Sequence, residues 1–311
     1  MSVNILFIRR LVALFGVLGW LIVPISTVRA FSLRPAILEM EGDRGQEIHG
    51  AVEVANDEKI AKLFHVSVQR FVPEDNYGRQ LFLPVEEREG LPSWISVTTT
   101  VALGPGQSKK IPFQVHIPSD AVAGGYYGAI FFTTVVGRGS QNLAIGSRTG
   151  SLLFFTVHGD ARPEIHVELF EQQRGKYLFW PQNFTIRLKN QGSLHDTPEG
   201  FVLIRNIFGQ ISQLIPINPE GGRILPQSTR AFDLSWKAGE MCQDFIACVR
   251  HEVEFFGAGP YTVQLSWSRS GIPPVRPLYF FIFPWRTVFV ILCLVVVFVF
   301  MKRTYQNLRS Y

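Results

Sequence analysis

The sequence predicts an all-β protein made of two immunoglobulin-like β-sandwich domains in tandem, followed by one C-terminal transmembrane helix. Three observations support this fold class. Apolar and polar residues alternate with a period of two along most of the middle of the chain, as they do in strands that bury one face. Turn-forming residues recur every ~8–12 residues, which is the spacing typical of antiparallel sandwiches. Two apolar runs, one near each end of the 311 residues, flank this region.

Residues 1–30 have the pattern of a signal peptide. Arg9 and Arg10 precede an apolar run of 13 residues, and the small residues Val28 and Ala30 predict cleavage after Ala30. As a helix, this run would span only ~20 Å, which is too short for ~30 Å of hydrocarbon. The alternative is an uncleaved N-terminal anchor.

Residues 281–301 have the length and composition of a transmembrane helix. These 21 residues would span ~31 Å as a helix, close to the thickness of the hydrocarbon layer. The alternative is a buried core helix. Because a signal peptide exports the chain that follows it, we expect the middle to lie outside the cell membrane and residues 302–311 to form a cytoplasmic tail. Four boundary residues are expected to anchor the helix in the membrane interfaces: Trp285, Arg286, Lys302 and Arg303.

The exported middle divides into two halves of similar length. The alternation stops near residues 158–164 and begins again at Ile165, so we predict a first domain over residues 31–160 and a second over residues 161–278. Each half is expected to fold alone, and the short connection is expected to limit hinge motion. No amphipathic helix is predicted in the middle. Pro112 interrupts an alternating strand, which predicts an edge strand there.

Charge and motifs exclude several classes of protein. The net charge is +5, but seven of the 30 basic residues lie in the first 30 or the last 26 residues, where no acidic residue occurs. The middle therefore carries 23 basic and 25 acidic residues, which gives no basic surface for nucleic acid. Motifs for nucleotide binding, metal binding and nucleophilic catalysis do not occur, so we expect no cofactor, no metal and no enzyme activity.

Two cysteines in the second half predict a local disulfide. Cys242 and Cys248 are separated by five residues and, by the predicted topology, lie in an oxidising compartment where disulfides persist. Closing this short loop would contribute about 2 kcal/mol to stability. The alternative is two free thiols. Cys293 falls within the predicted membrane helix and cannot join them.

The order of short motifs along both halves matches a known family. In the first half the matching stretches are 31–37, 56–57, 64–71, 93–97, 103–107, 117–120, 124–130 and 157–160. In the second half they are 188–192, 206–209, 222–226, 259–263 and 283–285. With these motifs the first half resembles the N-terminal peptidoglycan-binding-type domain of the bacterial WxL-interacting proteins. The second half resembles the immunoglobulin-like domain that follows in exported bacterial relatives.

The resemblance implies a non-catalytic, single-pass surface protein. Its first domain would bind cell-wall glycan (peptidoglycan), and its second would contact a surface-protein partner. The second half departs from the family pattern by an insertion over residues 237–256, and we expect this insertion to make the partner contact.

Two other functions stay open at this point. One is a chaperone-like scaffold that assists surface-protein assembly by strand addition at an exposed sheet edge. The other is a membrane-tethered glycan hydrolase, which would need two carboxyl groups ~5–9.5 Å apart.

Four residues are candidates for ligand binding. Tyr77 stands beside Asp75 and Asn76 in a predicted hairpin tip, where an exposed ring next to polar groups suits a sugar. Trp94 is either a second sugar platform or a residue that fills the space between the two sheets of the first half.

Overall fold

The computed structural model describes residues 31–134, 146–173, 182–236, 244–254, 259–268 and 271–309. These ranges contain seventeen β-strands and three helices, and the strands form four sheets. The predicted all-β class with one apolar C-terminal helix is confirmed. Residues 1–30 lie outside the described ranges, so the signal peptide and its cleavage after Ala30 stay predictions.

The strands between residues 31 and 157 form two facing sheets, which we name the first sandwich. One sheet has the order β1-β3-β8-β6, and the other has the order β2-β10-β9-β4-β5, with β7 also paired to β4. Strand β2 pairs with β10 in parallel, whereas the remaining pairs are antiparallel. The elements are β1 Phe31–Arg34, β2 Ile37–Gly42, β3 Glu47–Asn56, β4 Lys62–Pro73, β5 Gln80–Phe82, α1 Leu91–Trp94, β6 Ile95–Val97, β7 Thr100–Leu103, β8 Ser108–His116, β9 Gly124–Thr134 and β10 Arg148–Val157.

The core of the first sandwich follows from the period of two. In β8, the side chains of Ile111, Phe113 and Val115 are buried while those between them are exposed. The rings of Phe132 and Phe155 are also fully buried in this core. Burying a side chain of this size contributes about 1.5–3 kcal/mol, so each of these rings stabilises the first sandwich.

The prediction that Pro112 marks an edge strand is wrong for β8 as a whole. Strand β8 has β3 on one side and β6 on the other. However, β6 is only three residues long and pairs with Phe113–Val115. Pro112 therefore lies one residue beyond the end of β6, at a position where the missing N–H breaks no pairing on that side.

The strands between residues 165 and 282 form a second pair of sheets, which we name the second sandwich. The sheet orders are β11-β12-β15 and β14-β13-β16-β17. The core between them contains Phe184, Ile186, Val202, Ile204 and Val263, all fully buried. The strands are β11 Ile165–Gln173, β12 Gln182–Asn190, β13 Gly200–Arg205, β14 Ile211–Pro216, β15 Thr229–Trp236, β16 Gly259–Trp267 and β17 Leu278–Ile282.

Each sandwich holds one fully buried asparagine at the end of a strand. The Asn56 amide donates to the carbonyls of Ile60 (2.8 Å) and Gly104 (2.9 Å). The Asn190 amide donates to the carbonyls of Leu194 (2.7 Å) and Ile224 (3.1 Å). Because a buried amide is stabilised only when its hydrogen bonds are made, both residues fix the loops that they contact.

Two helices of the second half differ from the predictions. Helix α2 spans Phe245–Glu254, inside the predicted insertion, where no helix was expected. Helix α3 spans Trp285–Arg309, so the predicted start of the membrane helix at residue 281 is wrong. Residues 278–282 alternate in burial and pair with β16 as strand β17, and Pro284 then separates the strand from the helix.

Helix α3 has the length and composition of a membrane span. The candidate span is Trp285–Asn307, with a mean hydropathy of 2.2 and none of its apolar window buried against the rest of the chain. This exposure does not fit the alternative of a buried core helix.

Candidate functional site

The two sandwiches meet at a shared apolar cluster, which we name the junction. Phe71 and Phe154 of the first sandwich pack against Leu225 of the second, and all three side chains are at least nine-tenths buried. The rings of Phe71 and Phe154 are 5.6 Å apart in an edge-to-face arrangement. The two sandwiches are therefore packed against each other and are not separated by a free linker.

Hydrogen bonds at the junction are built around Tyr127. Its hydroxyl oxygen accepts the backbone N–H of His195 (3.1 Å) and lies 3.3 Å from Nδ1 of the same residue. Nearby, the N–H of Gly125 donates to the carbonyl of Ser193 (2.9 Å). Burial raises the pKa of Tyr127 and lowers the pKa of His195 below its ordinary value of 6.5. At neutral pH the hydroxyl therefore keeps its proton and can donate it to a neutral imidazole.

We expect the junction to weaken in acid because of His195. Burial is the largest cause of its lowered pKa, and the charge of Arg223 adds to it, while Glu39 and Asp196 act in the opposite direction. The separated or unfolded state binds the proton more readily, so this stabilisation is present above pH ~6.5 and is lost as the pH falls through the lowered value. The thermal midpoint should fall between pH 7.5 and pH 5, and less steeply in His195→Gln.

The matched control for this prediction is His65→Gln, which removes an exposed histidine from the first sandwich. An equal pH dependence in wild type and His195→Gln would show that another group governs the response.

Beside the junction lies a cleft of about 230 Å³ with a basic rim. Arg230 donates to the carbonyl of Arg223 (3.0 Å), and Arg223 forms an ion pair with Glu39 and lies 4.8 Å above the ring of Phe154. The guanidinium of Arg230 passes against Gly78, where a Cβ atom would be only 2.4 Å from a guanidinium nitrogen and where φ is +87°. Glycine at this position therefore lets the first sandwich approach the arginine.

Three of the four predicted ligand residues lie in one loop, and Asp75 among them lines this cleft. The Asp75 carboxylate accepts the backbone N–H of Tyr77 (2.8 Å) and the side chain of Arg79 (2.6 Å), and the bond from Arg79 lowers the pKa of Asp75. The carbonyl of Asn76 accepts the N–H of Ala231 in the second sandwich. Tyr77 is 62% exposed. The loop is thus well ordered by its own bonds, and glycan binding by it stays a prediction.

Trp94 lies elsewhere and has the role of a core residue. It is 9% exposed, and its ring packs 4.3 Å from Tyr126 and 6.5 Å from Phe155. This position leaves no face of the ring open to a sugar, so Trp94 fills the space between the sheets.

The cysteines fall partly within the described residues. Cys248 is buried in α2 and is disulfide-bonded, while Cys293 is free and exposed on α3. Cys242 lies outside the described residues, so its pairing with Cys248 stays a prediction. Among the residues that the structure describes, no group of three or more histidine, cysteine or acidic side chains is arranged to hold a metal ion.

A second surface is the open edge of the sheet that contains β14. This strand pairs with β13 on one side and ends its sheet on the other. The N–H of Ile217 donates to the carbonyl of Gly200, so by the alternation of an antiparallel ladder the backbone groups of Leu214 point away from β13. The backbone of Pro216 also points away from β13, and proline has no N–H group that would be left without a partner there.

The outer face of the same sheet is apolar on β13 and β14 and again on β17, whereas the middle strand β16 contributes the polar residues Thr262, Gln264 and Ser266 between them. Leu214 lies directly opposite Leu203, and Phe201 lies on the same face of β13. On the far strand β17, Tyr279 and Phe281 project to this face as well. The exposed fractions are 43% for Phe201, 48% for Leu214, 72% for Tyr279 and 48% for Phe281. An exposed apolar face next to an open edge is typical of a surface that binds another chain.

Comparisons with known proteins give structures of similar fold and no family. No family model matches the chain, and no curated protein matches it. The class 5 fimbriae chaperone CfaA is similar with a TM-score of 0.40 and 13% identity over 82% of this chain and 99% of that chain. The E. coli chaperone DraB is similar with a TM-score of 0.36 and 13% identity over 80% and 96%.

A Salmonella enterica SafA pilin complex with the SafB chaperone gives a TM-score of 0.36 and 11% identity over 83% and 98%. Similarity of this extent carries no conclusion about function. The resemblance to WxL-interacting proteins also stays a prediction.

Proposed function

We propose that the chain is a membrane-anchored, non-catalytic binding protein that holds an extended segment of a surface-protein partner along the edge of β14. This is the chaperone-like function by strand addition. The observation that supports it is that β14 has outward-pointing backbone groups next to the exposed apolar side chains of Phe201 and Leu214.

Among the edge strands of the described residues, β14 is the longest one without a charged side chain, since the uncharged edge strands β5, β6 and β7 are only three or four residues long. Proteins usually protect an edge with charged side chains or proline, and β2, β11 and β15 each contain charged residues. Strand β14 contains none, and its single proline stands at its last position. Strand β17 is also uncharged, but it leads within three residues into α3. Of these edges, β14 is therefore the one most open to an added strand.

A partner strand on this edge would gain two kinds of contact. Its backbone would pair with the outward-pointing groups of β14, where the Leu214 carbonyl accepts only a long bond from the Gln213 side chain (3.4 Å). Every second side chain would lie over the face formed by Phe201, Leu203 and Leu214. The first contact gives affinity without sequence preference, and the second selects segments with alternating apolar residues.

Anchoring by α3 would keep this edge close to a membrane. The N-terminal signal pattern supports an arrangement with the sandwiches on the outer side and Lys302 and Arg303 on the inner side. In this arrangement the protein would meet its partner as the partner leaves the membrane.

We expect Leu214→Pro to abolish partner binding while the fold is kept. The variant removes an outward-pointing N–H and no bond to β13, so only the added strand should suffer. The probe is a displayed library of 12-residue peptides, from which peptides bound by the wild-type protein are selected. Selected peptides should show apolar alternation, and Leu214→Pro should bind them at least ~10-fold more weakly, as expected for a loss of ~1.4 kcal/mol.

Leu214→Ala is the matched control, because it keeps the backbone N–H and removes most of the side chain. It should bind more tightly than Leu214→Pro. Equal binding by Leu214→Pro and wild type, with both proteins folded by circular dichroism, would contradict strand addition at β14.

A further inference from the structure

Helix α2 packs against the first turns of α3. The ring of Phe245 lies 6.4 Å from the ring of Trp285 and 6.4 Å from the ring of Phe289. Phe289 is four residues beyond the start of α3, which is about 6 Å along the helix axis. One end of α2 therefore reaches the level at which the candidate span has already begun.

A buried carboxylate joins the two helices. Glu252 accepts the backbone N–H of Thr287 (2.9 Å) and its hydroxyl (2.8 Å), and lies 3.4 Å from the guanidinium of Arg286. The side chain of Glu252 is only 6% exposed. Thr287 is the third residue of α3, whose N–H has no partner within the helix, and the positive end of the helix dipole favours a carboxylate there. The position of α2 on α3 is thus set by bonds as well as by packing.

The next face of α2 is apolar and uncovered. Phe245, Cys248 and Glu252 form the stripe toward α3 at helical spacing. One position further round the helix is the stripe 246, 249 and 253, which holds an isoleucine and two valines. Ile246 is 79% exposed and Val253 is 55% exposed. If α3 spans a bilayer, these exposed apolar side chains of α2 lie at the depth where the span begins and would contact lipid.

A hairpin tip points to the same end of the molecule. Arg205 pairs with Thr262, and the last pair of the sheet is Gly259 with Ile282, so β13 runs toward the end where the chain enters α3. The tip carries Ile207 and Phe208, which are 64% and 77% exposed.

The tip is a closed and ordered loop. The Asn206 side chain accepts the N–H groups of Phe208 and Gln210, both at 3.0 Å. Arg205, the last paired residue of β13, lies about 10 Å along the sheet from the level of Ile282, because three residues of β16 separate their partners. The tip, which follows Arg205, extends over part of that distance.

We infer that the partner of this end is the lipid bilayer itself. Helix α2 lies in the outer membrane interface with the stripe of Ile246, Val249 and Val253 toward the acyl chains, and the Ile207–Phe208 tip makes a second contact. This inference rests on the proposed anchoring by α3. An amphipathic helix at the interface plus an aromatic tip seats the second sandwich on the membrane and restrains its tilt.

The test uses the full chain in phosphatidylcholine vesicles. A diazirine-bearing amino acid replaces one residue at a time at positions 246, 253 and 208, and light then inserts its carbene into whatever it touches. Position 295 within α3 is the positive control. Position 60 in the first sandwich is the negative control, because Ile60 is an exposed apolar residue (59%) far from α3 in the chain. All five positions have exposed side chains, so the substitutions leave the core unchanged.

Mass spectrometry should find lipid adducts at 246, 253 and 208 at least ~10-fold more often than at 60, because only residues in the interface meet acyl chains. Lipid at 295 but only water or protein adducts at 246 and 253 would overturn the inference and leave the anchoring intact. Adducts between two copies at 246 would overturn it too and show a contact between chains. Lipid at 246 and 253 but not at 208 would overturn the part given to the tip. Failure at 295 would overturn the anchoring itself.

Discussion

Phe154→Ala should destabilise the two sandwiches by about 3–5 kcal/mol, the cost of removing a buried phenylalanine from a packed cluster. The ring is 4% exposed and lies at the junction between Phe71 and Leu225, under the guanidinium of Arg223. The loss includes contacts between the two sandwiches, so the variant should also separate their unfolding. Denaturant unfolding followed by two probes, one in each sandwich, measures both effects.

Phe155→Ala is the matched control, since the neighbouring ring points into the core of the first sandwich and is fully buried there. In a fragment of residues 31–160, the Phe154 ring has lost Leu225 and Arg223, so Phe154→Ala should cost clearly less than in the whole chain. Phe155→Ala should cost the same in both. Equal costs of Phe154→Ala in the two contexts would show that the junction contributes little. A fragment that does not fold would show that the first sandwich needs the second.

The strands could be predicted from sequence because burial in a sandwich repeats every second residue. The alternation at 111–117 and at 184–188 matches the buried faces of β8 and β12. The sequence predicts a membrane helix that begins at residue 281, inside β17, because hydropathy does not distinguish an apolar strand from an apolar helix. The pairing of β17 with β16, which decides the matter, is a contact between distant residues.

The junction is not predicted by the sequence for a related reason, because it too depends on contacts between residues far apart in the chain. Residues 152–157 are apolar on both faces, a pattern that predicts only a central strand. Phe154 on the outer face needed a covering surface, and this was a signal for packing between the halves. The residue that covers Phe154 is Leu225. Its position depends on the fold of the second half, so no local sequence pattern predicts the contact. The loop of Asp75 and Tyr77 could be found because turn residues mark a hairpin tip, whereas its contact with Ala231 could not.

Helix α2 shows the limit of periodicity most clearly. It is ten residues long, its stripe toward α3 includes a glutamate, and its neighbouring stripe is apolar but exposed. A buried acidic residue is a poor signal for a helix face, because it is stable only beside the N-terminus of α3 and Arg286. The contacts of Glu252 with Thr287 and Arg286 can therefore be tested by their effect on the stability of α2.

Glu252→Ala should release α2 from α3. The variant removes the acceptor for the free N–H of Thr287 and leaves the charge of Arg286 without its partner, at a cost of about 2–3 kcal/mol given that Arg286 is partly exposed. Hydrogen exchange of peptides from residues 245–254 in the full chain, held in vesicles, should become about 30- to 150-fold faster. Glu252→Gln keeps an oxygen for Thr287 and should lie between the two. Arg286→Gln completes a double-mutant cycle, in which the effects of Glu252→Gln and Arg286→Gln should be less than additive because they remove the same ion pair. Unchanged exchange in Glu252→Ala would mean that the Phe245 ring contacts and the bond of Cys248 hold α2 without the carboxylate.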